Sequence, residues 1–233
     1  MNEPEASELR LQSADGGEFS AYCAFPEHAS APALVVLTPV FGVDRDMRGF
    51  VDRYAQRGFI AIAPDLFWRE SPGVLARTDD GRTQAQARAR RVDAGVCAGD
   101  VRTTIEALRV MPACNGNVAA LGICFGGRYA YLAAARGDVA AAGAYHGTQI
   151  GECLAGAPPV TVPISLHFGG ADPLTPEGEI SAIAAALRDN PDAEICVYPG
   201  AEHNFSIPGH PSCDAEAARR AEASVFALFD RLK

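Results

Sequence analysis

Apolar positions along the chain fall into short unbroken runs, separated by stretches of helical spacing. Residues 19–25 read as a first strand and 26–32 as a turn, after which Ala33-Leu34-Val35-Val36-Leu37 forms a nearly continuous apolar run. Runs of this kind suit strands covered on both faces. Asp44 offers a helix N-cap, Met47, Phe50, Val51 and Tyr54 recur at i, i+3, i+4 and i+7, and Gly58 follows as the C′ residue. Residues 59–63 predict another buried strand, stopped by Pro64. The stretch 66–81 reads as irregular, and helical sequence resumes from about Arg82 to about Met111, with breaks expected near Gly95 and Gly99. Strands are then predicted at 118–123, 139–145, 164–168 and 194–198, and helices at 126–135 and 176–187, with a long loop over 147–163. A last helix carries Ala218, Ala221, Val225, Leu228, Phe229 and Leu232 on one side. Apolar strands alternating with amphipathic helices predict an α/β fold, a mostly parallel sheet with helices on both faces. No repeat or linker divides the chain, so a single domain over residues 1–233 is expected.

Composition narrows the functional classes. The net charge of −9 over 233 residues sets the chain against phosphate backbones, so no nucleic acid partner is expected. Two long uncharged stretches, 110–127 and 153–171, are interrupted by Pro112, Asn115 and Gly116 and by Pro158, Pro159 and Pro163. Neither reads as a membrane helix. The acidic start, residues 1–5, lacks the basic and apolar segments of a signal peptide, which points to a cytoplasmic protein. Seven cysteines without a CxxC pair and five histidines without ligand spacing predict neither a disulfide framework nor a metal. No GxGxxG or Walker-type loop follows a strand, so no cofactor is expected.

The chemistry-bearing segment is Leu121-Gly122-Ile123-Cys124-Phe125-Gly126-Gly127, where a predicted strand runs through G-x-C-x-G-G straight into a helix. This is the nucleophile-elbow pattern with cysteine in place of serine. A nucleophile on so sharp a turn needs glycines two residues to either side, because larger neighbours would clash. The helix N-terminus behind it favours negative charge and helps hold an oxyanion. A nucleophile also needs a base and an orienting acid, in the chain order nucleophile, acid, histidine. Asp172 in Phe168-Gly169-Gly170-Ala171-Asp172 and His203 after Pro199-Gly200 both follow predicted strands, where parallel sheets assemble their sites. His167 reads as a hydrogen-bonded core residue and His210 as exposed. His146 could line the pocket but precedes Asp172, and Asp65 reads as a structural tie for its loop.

These segments, together with Phe41-Gly42-Val43, Pro64-Asp65-Leu66 and His203-x-Phe205, resemble the dienelactone hydrolase family of the α/β-hydrolase superfamily from about Leu34 onward. The resemblance implies a cofactor-free esterase or lactonase with Cys124 as nucleophile, His203 as base and Asp172 as its partner. It implies an oxyanion hole made by the backbone N–H groups of Val40 and Phe125. Pro39 stands where better-known members carry a glutamate near the thiol, and Gln84 and Ile207 stand where they carry substrate-binding arginines, with Arg82 and Arg88 near the first place. Phe41, Trp68, Phe125, Tyr145, Phe205 and Ile207 are expected around an apolar, aromatic pocket. With neutral residues in place of the arginines, neutral esters are expected to outdo carboxylate-bearing lactones. The expected partner is a small-molecule ester, lactone or phosphotriester, and the chain is expected as a monomer or homodimer. Hydrolysis of activated phosphotriesters by the same triad is the alternative reaction, and a non-catalytic ligand-binding protein the alternative class.

Overall fold

The computed structural model describes residues 5–27 and 30–233. Residues 1–4 of the acidic start and His28 and Ala29 of the expected 26–32 turn lie outside the described residues. Among the described residues eight strands form one sheet, ordered β1-β2-β4-β3-β5-β6-β7-β8. They are β1 (Glu5–Gln12), β2 (Glu18–Phe25), β3 (Ala31–Leu37), β4 (Ile60–Pro64), β5 (Cys114–Ile123), β6 (Ala141–Tyr145), β7 (Ile164–Gly169) and β8 (Ala193–Tyr198). Pairing is antiparallel for β1–β2 and β2–β4, and parallel for β3–β4, β6–β7 and β7–β8. The α/β class and mostly parallel sheet expected from the alternation are observed. By its contacts the chain divides into two compact units, Met1–Ala119 and Ala120–Lys233.

In the first unit, helix α1 (Arg45–Gln56) follows the apolar stripe: Met47, Phe50, Val51 and Tyr54 are all buried. The Asp44 carboxylate accepts the Met47 N–H at 3.0 Å, as its N-cap position requires. At the other end Gly58 has φ 95°, donates to Ala55 C=O, and lets Phe59 donate to Tyr54 C=O. This is a Schellman closure, and the accompanying apolar contact is the Phe59 ring against Tyr54, 6.0 Å between centroids. The expected long helix is two helices, α2 (Asp79–Arg91) and α3 (Ala94–Arg109). The break is made at Asp93, not by the glycines: its side chain caps α3 by accepting the Val96 N–H at 2.9 Å, while Gly95 and Gly99 lie inside the helix. Strand β1 is an addition to the expected elements. It is joined to β2 by a tight turn in which Ser13 N–H donates to Gly17 C=O and Gly16 takes φ 91°.

In the second unit α4 (Gly126–Ala135) leaves β5 directly, α5 (Glu177–Leu187) precedes β8, and α6 (Ala215–Phe229) packs on β6 and β7. Gly143 on β6 admits α6, since a Cβ there would come within 3.2 Å of Val225. The 147–163 loop contains one 3₁₀ turn, Gly151–Cys153. The strand edges differ from expectation by a few residues, most at β5, which begins at Cys114 because polar residues 115–117 extend it into solvent. Among the described residues no helix is long and apolar enough to cross a membrane.

Candidate active site

Cys124 is the residue between β5 and α4, and its φ of 53° places a side-chain-bearing residue in the left-handed region. That conformation costs on the order of 1 kcal/mol or more and is held by three main-chain bonds. Cys124 N–H donates to Tyr145 C=O at 3.1 Å, and Cys124 C=O accepts from Gly127 at 2.9 Å and Thr148 at 3.0 Å. The glycines the motif demands have direct reasons. A Cβ at Gly122 would sit 2.4 Å from the Gly126 carbonyl oxygen, and one at Gly127 would sit 2.4 Å from the Gly147 Cα. Phe125 is the N-cap of α4, is buried, and sets its ring edge-on to Tyr129.

Asp172 lies in the turn after β7 and His203 in the turn after β8. His203 Nδ1 is 2.7 Å from Asp172 Oδ2, and His203 Nε2 is 3.1 Å from Cys124 Sγ. The second Asp172 oxygen accepts the Leu174 N–H at 2.8 Å, so the carboxylate is fixed on both sides. Because an ionised carboxylate only accepts, Nδ1 is the donor to Asp172. Burial of the ring opposes its charged form, but the bonds to Asp172 and Cys124 outweigh it and lift the His203 imidazole to about 10. Cys124, Asp172 and His203 are thus brought together within the second unit.

A fourth side chain joins them. His146, fully buried at the end of β6 with φ 38°, sets its ring edge-on to His203 at 4.7 Å and bonds Ser206 Oγ through Nε2 at 3.0 Å. Ser206 carries no signal of its own in the sequence, and the position of His146 before Asp172 in the chain suits it to line the pocket, not to serve as the base. His167 is the hydrogen-bonded core residue expected, with Nε2 on Ser165 and Nδ1 on Tyr198. His210 is half-buried instead of exposed, its Nδ1 accepting the Ser212 N–H.

The expected pocket residues are spread over both units. Tyr145, Phe205 and Ile207 are buried in the second, where Phe205 packs on Tyr198 and His146. Val40, Phe41 and Trp68 belong to the first. There Trp68 stacks on Phe19 at 5.8 Å and donates its indole N–H to Asp100 at 2.9 Å, while the Arg77 guanidinium lies over Phe41. Asp65 ties down its loop as expected, accepting from Phe67 N–H and Gly73 N–H. Arg88 is buried and donates to the carbonyls of Val40, Ser71 and Gly73, whereas Arg82 is exposed beside Asp79.

A strand-to-helix elbow carrying a cysteine, on a mixed and mostly parallel eight-stranded sheet, defines a protein of the α/β-hydrolase fold. The model of the dienelactone hydrolase family matches residues 19–233, and the chain belongs to that family and is a hydrolase. It is 34% identical over 217 residues to a carboxymethylenebutenolidase of Pseudomonas putida, covering 91% of each chain. The structure of a putative dienelactone hydrolase from Klebsiella pneumoniae superposes with a TM-score of 0.82 at 27% identity, covering 99% of this chain and 100% of that one. A dienelactone hydrolase-like promiscuous phosphotriesterase from metagenomic libraries shares the fold at a TM-score of 0.74 and 24% identity, covering 97% of this chain and 98% of that one.

Proposed function

We propose that the chain hydrolyses carboxylic esters or lactones through a thioester on Cys124, with His203 as general base and acid and Asp172 as the group that orients it. The observation that carries this reading is the continuous chain from Asp172 through His203 to Cys124, at 2.7 and 3.1 Å, on a strained elbow. Cys124 Sγ attacks the carbonyl carbon, and the carbonyl oxygen becomes an oxyanion. The Phe125 N–H, at the start of α4, is the assigned donor to it. His203, whose raised pKa keeps a proton on the ring through the neutral range, protonates the leaving group. Water, deprotonated at His203 Nε2, then attacks the thioester and releases the acid. Pro39 in place of an acid leaves thiol activation to His203, and a thiol starts closer to its anion than a hydroxyl does.

Cys124→Ala is expected to bring turnover to near the uncatalysed level with folding intact. Acid quench of the wild-type enzyme during turnover should yield an acyl adduct on the Cys124 peptide by mass spectrometry. Full activity in Cys124→Ala overturns the reading. The phosphotriesterase among the similar structures supports a second electrophile for the same groups, because amides that hold a carbonyl oxyanion can hold a phosphoryl oxygen. Rates on matched aryl carboxyl esters and aryl dialkyl phosphates decide between them. Phosphotriester turnover that exceeds ester turnover makes the alternative the main reaction.

A further inference from the structure

Cys124, His146 and His203 present one thiol sulfur and two imidazole nitrogens that all lie within 4.8 Å of one another. Two of these residues have roles in the proposed reaction; His146 has none. We propose that the three form a binding site for a soft divalent cation of the zinc class, and that its occupation reversibly switches the hydrolase off.

Four observations support the site. The ligand set is one thiolate and two imidazoles, which favours zinc or cadmium and disfavours magnesium or calcium. The ligands are built on the main chain: Cys124 N–H donates to the carbonyl of Tyr145, the neighbour of His146, and His146 N–H donates to His167 C=O at 2.8 Å. The outer partners suit a metal site as well. Asp172 holds His203 Nδ1, so that Nε2, which faces Cys124 Sγ, is the nitrogen left to bind a metal once its proton leaves, the carboxylate–histidine arrangement that supports zinc ligands, and Ser206 holds a nitrogen of His146. Finally, bond lengths of about 2.3 Å to sulfur and about 2.0 Å to nitrogen give ligand separations of roughly 3.3–3.6 Å in a tetrahedral site. The Cys124–His203 pair at 3.1 Å must open by a few tenths of an ångström, and any separation near the 4.8 Å limit must close by about an ångström.

On binding, the cation accepts electron pairs from Sγ and from one nitrogen of each histidine. The proton shared between Sγ and His203 Nε2 leaves to solvent, no redox change occurs, and a fourth position stays open to water. The nucleophile's and the base's lone pairs are then both occupied, so inhibition rests on the proposed roles of Cys124 and His203, whereas binding does not.

The test is titration of the metal-free enzyme with Cd²⁺ and Co²⁺, followed by absorption, alongside activity in Zn²⁺ with and without EDTA. One equivalent should produce thiolate-to-metal charge transfer that Cys124→Ser abolishes. Zn²⁺ should stop turnover, EDTA should restore it, and Mg²⁺ should do neither. His146→Ala and His146→Gln should each bind at least about tenfold more weakly, and Asp172→Asn about tenfold to a hundredfold more weakly. The proposal is overturned by an absorption signal that survives Cys124→Ser, or by wild-type affinity in either folded His146 variant. Should Cys124→Ala stay active while the charge transfer is seen, the catalytic reading fails and the metal site stands.

Discussion

Arg88 shows why a residue type near a motif does not declare its task. Four N–H groups of its guanidinium are committed to backbone carbonyls: Nε and Nη2 to Val40, and Nη1 to Ser71 and Gly73, while the plane lies 4.2 Å over the Phe67 ring. Burial pushes its pKa down, with Asp65 opposing, yet an arginine stays protonated in a protein. Arg88 is therefore a clamp on two loops and not a free carboxylate receptor. Arg88→Met should destabilise the protein by on the order of 2 kcal/mol, read by urea denaturation, since three backbone carbonyls lose a charged donor. Substrate preference follows from the same accounting: with Gln84 and Ile207 neutral and Arg88 committed, a methyl ester should exceed its free acid in kcat/KM. A preference for the free acid that Arg82→Ala removes would reverse this expectation.

Helix α1 was legible down to its caps because every signal there is local. Asp44, the i, i+3, i+4, i+7 stripe and Gly58 are all read within fifteen residues of chain, and the structure uses each of them. Asp44 does more than its spacing announces, since its second oxygen accepts from Arg77 at 2.7 Å and 2.9 Å. Asp44→Ala should cost about 1–2 kcal/mol, and Asp44→Asn should recover most of the cap but not the ion pair, measured as the shift in denaturation midpoint. The α2–α3 boundary falls at Val92 and Asp93, short of the expected Gly95, for the converse reason. Gly95 and Gly99 are weak helix breakers inside an otherwise apolar spacing, and the Asp93 cap is the stronger signal. Strand β1 escaped because it is an edge strand with only Leu9 and Leu11 alternating, although Asp15-Gly16-Gly17 is a hairpin signal.

Two histidines with opposite shifts bear on stability at the two ends of the pH range. His167, buried between Ser165 and Tyr198, is pushed down to about 4 by burial, with Glu194 opposing. Its network is fully directed: neutral His167 donates from Nε2 to Ser165, which donates to Glu194, while Tyr198 donates to Nδ1. Below its ordinary value of 6.5 the unfolded chain takes a proton that folded His167 refuses, so stability falls as pH drops from 6.5 towards 4. His203 is raised to about 10, so its contribution is whole below 6.5 and is lost as pH rises through 10. Thermal unfolding across pH 4–10 should give a maximum Tm near 6.5. His203→Gln should flatten the alkaline limb and His167→Gln the acid limb. A variant curve parallel to the wild type removes that histidine from the account.

By itself the sequence determined the element order, the α/β class, the elbow and the candidates Cys124, Asp172 and His203, because glycine spacing, strand–helix alternation and chain order are properties of near neighbours. Only the tertiary structure decided which ring faces His203, where the hydroxyl of Ser206 goes, and that Arg88 is committed to main-chain carbonyls. His146 lies 57 residues from His203 in the chain, yet the rings meet edge-on because β6 and β8 flank β7 in one parallel run. Contacts of that kind are fixed by strand order and by rotamers in a packed interior, and neither leaves a periodic trace along the chain.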